Sequence, residues 1–120
     1  MFRVDYDAQL NLLRIHVEGF WKPGHVAALA AAIGAKVQEI RADRDDFDTI
    51  VESFGFPVQA NDVADSLASI MLAGMTLTTG RAAVVVGSYL NRLQVERTLA
   101  HPRLRPFQSM EEALVWLGRI

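Results

Sequence analysis

Cysteine is absent from the 120 residues, which excludes disulfide scaffolds, cysteine zinc sites, iron–sulfur clusters and thiol catalysis. Long apolar runs are absent too. The longest uncharged stretch, residues 66–80, is 15 residues long and holds three threonines, two serines and two glycines. A spanning helix wants about 20 predominantly apolar residues. Neither charge sign dominates: 12 Lys and Arg against 14 Asp and Glu leave a net charge of −2, which gives no general basis for nucleic-acid binding. The opening Met1-Phe2-Arg3-Val4-Asp5 is charged and alternating, unlike the apolar core of a signal peptide. These absences predict a soluble, cytoplasmic chain with no membrane span and no nucleic-acid partner.

What is present suits one folded domain over residues 1–120. The chain is 51% hydrophobic and 22% charged, and a domain of this length buries about two thirds of its unfolded surface. No internal repeat, low-complexity segment or linker divides it. Charge is uneven: residues 1–80 hold six Lys/Arg against eleven Asp/Glu, residues 81–120 six against three. The basic residues Arg92, Arg97, Arg103 and Arg105 are spread out and predict a solvated surface.

Phe2, Val4 and Tyr6 alternate with Arg3 and Asp5, and Leu13, Ile15 and Val17 with Arg14, His16 and Glu18. This is a hairpin pattern joined by the polar-rich residues 7–11. Val26, Leu29, Ala30, Ile33, Val37 and Ile40 form the stripe of an amphipathic helix. Residues 48–54 predict a buried strand. Asn61 or Asp62 is suited to cap a second helix reaching about Met75. Ala82 to Val86 is apolar throughout, as in a strand covered on both faces. Ser88 predicts the cap of a third helix ending before Pro102, and residues 103–107 a short strand. Ser109-Met110-Glu111-Glu112 has capping-box spacing ahead of a last helix. The order β β α β α β α β α predicts an α/β fold: a mixed, largely parallel sheet with an opening antiparallel hairpin and about four helices packed on it.

Three stretches carry a family resemblance: Tyr6-Asp7 with residues 12–19, ending in Gly19; Arg81 to Gly87; and Phe107 with Glu111-Glu112-Ala113-Leu114-Val115-Trp116-Leu117. Together they resemble the STAS superfamily (sulfate transporter and anti-sigma factor antagonist domains), in its SpoIIAA-like branch. The resemblance implies a STAS-like regulatory or protein-interaction module rather than an enzyme. The branch is also compared with the CRAL-TRIO lipid-transfer fold, which implies the alternative of a carrier or sensor for a small apolar or lipid-like ligand. Anti-sigma antagonists carry a phosphorylatable serine at the start of the helix after the third strand. Residues 58–62 here hold no hydroxyl, and Ser66 lies a turn further on.

No pattern predicts a catalytic residue, a metal ligand or a cofactor. His16, His25 and His101 lack the i, i+4 spacing of a helical metal pair. The acidic residues 43–48 fail the calcium-loop template, with Asp48 and Phe54 where glycine and glutamate belong; a solvated turn is the default. Gly19 and Gly24 lack the Lys-Ser/Thr of a phosphate loop. Phe20 and Trp21 are expected to cover the end of the sheet or to meet a ligand. Partner or ligand binding is placed on Phe56, Asn61 and Asp62 before the second helix, and on Met71, Leu72 and Met75 within it. That helix carries an apolar arc of about 200°, where about 100° serves one-sided packing. A homodimer, another protein or an apolar small molecule is the expected partner, unless neighbouring helices cover the excess.

Overall fold

A computed structural model describes all 120 residues. The hairpin is made of β1 (Phe2–Asp7) and β2 (Leu12–Val17), and the alternating part of α1 (Pro23–Asp43), β3 (Asp48–Ser53), α2 (Asn61–Met75), β4 (Ala82–Val86), α3 (Tyr89–Thr98), β5 (Leu104–Phe107) and α4 (Met110–Trp116). The five strands form one sheet in the order β1-β2-β3-β4-β5. β1 runs antiparallel to β2, and β2 to β5 are mutually parallel. The expected α/β architecture is therefore the one observed. No helix is long and apolar enough to cross a membrane.

Because each strand lies beside its predecessor, crossovers of one hand set successive helices on one face. Residues of α1, α2 and α3 accordingly join Leu13, Ile15, Val17, Val51, Val84 and Val86 in the larger core cluster. The other face holds a smaller cluster, where Ala113 and Leu117 at the chain's end cover Leu12, Ile50, Ala83 and Val85. β4 is buried at all five positions because helices lie on both sides of it. Beyond α4, Arg14, His16 and Glu52 leave the second face polar and half exposed.

Helix ends follow local chemistry. Pro23 opens α1, where its missing N–H costs nothing. The hydroxyls of Ser88 and Ser109 accept from the N–H of Asn91 (3.1 Å) and Glu112 (3.3 Å), capping α3 and α4. The expected cap of α2 is a correction. Ala60 holds the N-cap position without a side-chain hydrogen bond, and Asp62 accepts instead from the adjacent Val63 N–H. At the other end of α2, the Arg103 guanidinium donates to the carbonyls of Met75 (2.9 Å), Thr78 (3.0 Å) and Gly80 (2.6 Å). A cation there also complements the helix dipole.

The acidic segment is not simply a solvated turn. Asp43 and Asp45 are exposed, but Asp46 and Asp48 are half-buried. Asp46 accepts from the Thr79 N–H (2.7 Å) and from both threonine hydroxyls of Thr78-Thr79. Burial by itself would raise its pKa; the hydrogen bonds from Thr78 and Thr79 and the Phe47 N–H overcome that and bring it down to about 2. Asp48 accepts from the Arg81 N–H (2.7 Å) and pairs with Arg119 (2.9 Å). The two carboxylates thus clamp residues 78–81, which lead into β4.

Candidate functional site

Under α2 and α3, against β2, β3 and β4, lies a cavity of about 90 Å³. Fourteen of its 19 lining residues are hydrophobic. Ile15, Val51 and Val84 form its floor, Ala64, Ala68 and Met71 the α2 wall, and Val95 and Leu99 the α3 wall. The remaining five are the uncharged Ser53, Gln59, Asn91, Gln94 and Thr98.

Those polar groups are mostly occupied in holding loops. The Ser53 hydroxyl donates to the Val85 carbonyl (2.6 Å). Gln59, 4% exposed, accepts from the Trp21 N–H (2.8 Å) and donates to the carbonyls of Gly19 (3.1 Å) and Pro57 (2.8 Å). Asn91 donates to the Phe56 carbonyl (2.5 Å). Gln59 and Asn91 therefore tie together the loops that follow β2, β3 and β4. No titratable side chain lines the cavity, so it offers neither a general base nor a charged anchor.

Of the residues singled out from sequence, Phe56 and Met71 line this cavity. Met71 and Met75 also line a second void of about 30 Å³ beneath α1 and α2. Met75 is 4% exposed and belongs to the main core; it is not part of an open face. Leu72 is half-buried, while Asn61 and Asp62 are exposed at the start of α2. The wide apolar arc of α2 has a plain cause: the helix lies between α1 and α3, with Val63, Ala64, Ala68 and Met75 all buried. Ser66 is exposed on its second turn.

The other candidates resolve into structural parts. Trp21 is 2% exposed; its ring packs edge-on against Phe56 at 5.4 Å and lies 6.0 Å from Phe2. Phe20 beside it points to solvent at 65% exposure. His25 Nδ1 accepts from the Lys22 N–H (3.0 Å) and His101 Nδ1 from the Arg103 N–H (3.0 Å). His16 sits between Glu18 and Glu52 at 3.9 and 3.8 Å. No three His, Asp or Glu side chains are grouped to hold a metal ion.

No family model matches the chain, and no curated protein matches it either. Sequence reasoning reached Phe56 through its place in the loop before α2 and Met71 through the apolar arc of that helix, but did not single out Gln59, Asn91 or Gln94. A Gln or Asn beside a turn is a weak signal of a loop-tying amide, and no stronger one was present.

Proposed function

We propose that the chain is a non-catalytic, cytoplasmic binding module of the SpoIIAA-like STAS type, and that it takes a small apolar molecule into the cavity beneath α2 and α3. The carrying observation is that cavity: apolar, uncharged and walled by α3, a helix without one buried residue. An engineered apolar cavity of about 150 Å³ stays dry and binds benzene or xenon. At about 90 Å³, this one suits a single small ring or less, which favours a compact ligand over a long-chain lipid. The regulatory role implied by the resemblance fits a module that binds without reacting. The absence of a hydroxyl between Val58 and Asp62 argues against a phosphorylation switch at that place.

Titrating xenon or benzene into isotope-labelled protein tests this. Expected are saturable shifts at Ala68, Val84, Val95 and Leu99, with a raised unfolding temperature as ligand binding requires. Ala68→Leu should fill the space and abolish those shifts while the protein remains folded. Shifts that never saturate, or that map away from α2 and α3, would refute the assignment.

A further inference from the structure

We propose that the end of the sheet where β2, β3 and β4 terminate is the face through which two copies of this chain pair. Ten large apolar side chains are exposed in the whole chain, and seven of them gather there. Parallel strands send their outgoing loops to one end. Phe20 follows β2, Phe54 and Val58 follow β3, and Tyr89, Leu90 and Leu93 begin α3 after β4. Met1 reaches the same end because β1 is antiparallel to β2, with the Glu18 N–H donating to the Met1 carbonyl at 3.1 Å.

The loops are close neighbours. Gly19 donates to the Gly55 carbonyl (2.9 Å), and a Cβ on Gly87 would stand 2.5 Å from the Phe54 carbonyl oxygen. On α3 the spacing of Tyr89, Leu90 and Leu93 puts them on one flank. The opposite flank, with Val95 and Leu99, faces the cavity.

Area selects the occupant. The seven side chains are between 41% and 73% exposed. At roughly 150–250 Å² for a whole aromatic side chain, and somewhat less for the aliphatic ones, they present roughly 700 Å². A standard interface takes about 800 Å² from each partner, so one further copy of the same face satisfies the requirement. Phe, Tyr and Met are also the types enriched in interface cores. Beside these residues along the chain stand Glu18 and Lys22, on either side of Phe20, and Arg92 between Leu90 and Leu93, paired with Glu96 at 3.1 Å. A surface carrying both signs can pair with itself across a two-fold axis, whereas an anionic membrane calls for a basic cluster. The proposal stands independently of the cavity, since none of the seven residues lines it.

Light scattering on the size-separated chain, at high micromolar concentration, tests the pairing. The wild type should have twice the 13.3 kDa chain mass. Leu90→Glu and Phe20→Ser should each weaken self-association at least tenfold with unchanged circular dichroism, while Val115→Glu on α4 stays dimeric. Both altered side chains are more than three-fifths exposed, so each variant checks the other if one fails to fold. A monomeric wild type, or dimers that survive both substitutions, would overturn the proposal. So would a monomer that co-sediments with phosphatidylcholine–phosphatidylserine vesicles, which would assign the face to lipid.

Discussion

Replacing Asp46 by Asn removes a negative charge from the clamp on residues 78–81 while keeping one acceptor oxygen. The Asp46 carboxyl titrates near 2 in the folded protein, against an ordinary 3.8. A pKa lowered by folding stabilises the native state above the unfolded value, and that stability is lost as pH falls through the folded value. The drop of nearly two units would be worth roughly 2 kcal/mol in full, and solvent screening at this partly exposed carboxylate leaves about 1 kcal/mol at neutral pH. About half of this should remain near pH 3, and little at pH 2. Urea unfolding of wild type and Asp46→Asn at several pH values between 7 and 2 measures the difference, in which the other carboxylates cancel. The expected difference is about 1 kcal/mol above pH 5, shrinking towards pH 2. A difference that is the same at pH 7 and at pH 2.5 would show that the substitution acts through packing, and that the clamp holds no extra charge stability.

The last helix offers a paired test by chemical denaturation: Ser109→Ala should cost about 1 kcal/mol through its lost cap. Leu117→Ala, at a site 4% exposed, should cost about 2–5 kcal/mol. Negligible losses for both would mean that α4 does not hold the second face. Among glycines, Gly34→Ala inside α1 meets nothing within 4 Å and should gain about 0.5–1 kcal/mol in thermal unfolding. Gly80→Ala would drive its Cβ into the Phe47 carbonyl and the Asp48 carboxylate, and should lose about 1–3 kcal/mol. Equal effects at the two positions would contradict the close approach of residue 80 to the start of β3.

Strands and helices were legible because their signals are local. Alternation gave β1 and β2, unbroken Ala and Val gave β4, and Ser88 and Ser109 stood where caps belong. The N-terminus of α2 was misplaced because Asn61 and Asp62 are equally good capping types, and the chain turns into the helix one residue before them. The clamp was illegible for a different reason. Asp46 and Thr79 are 33 residues apart, and so are Asp48 and Arg81; composition shows four polar residues with no hint that they meet. For α2, the breadth of the apolar arc was visible, but whether a partner or the neighbouring helices would cover it depends on tertiary packing that no local pattern encodes. The cavity left no trace in the pattern, since it arises from how Ala64 and Ala68 fall short of filling the space opposite Val84. The exposed end of the sheet was half visible: Phe20 was noticed, but its gathering with Phe54, Tyr89 and Leu90 depends on the strands being parallel.

The strictly sequential strand order carries a consequence for how the molecule is assembled. Every strand pairs with the one synthesised before it, so each new closure spans only the latest crossover, and closures of that length cost little entropy. The three-helix face can therefore grow as the chain leaves the ribosome, one β–α unit at a time. The opposite face cannot. Its cover arrives only with α4, where the Arg119 guanidinium donates to the Leu10 carbonyl (2.8 Å) across 109 residues. Until those last residues are made, Leu12, Ile50, Ala83 and Val85 lie bare on a nearly finished sheet. Nascent chains stalled after β5 should be the species most prone to stick to one another, by the ordinary hazard of exposed apolar surface during folding.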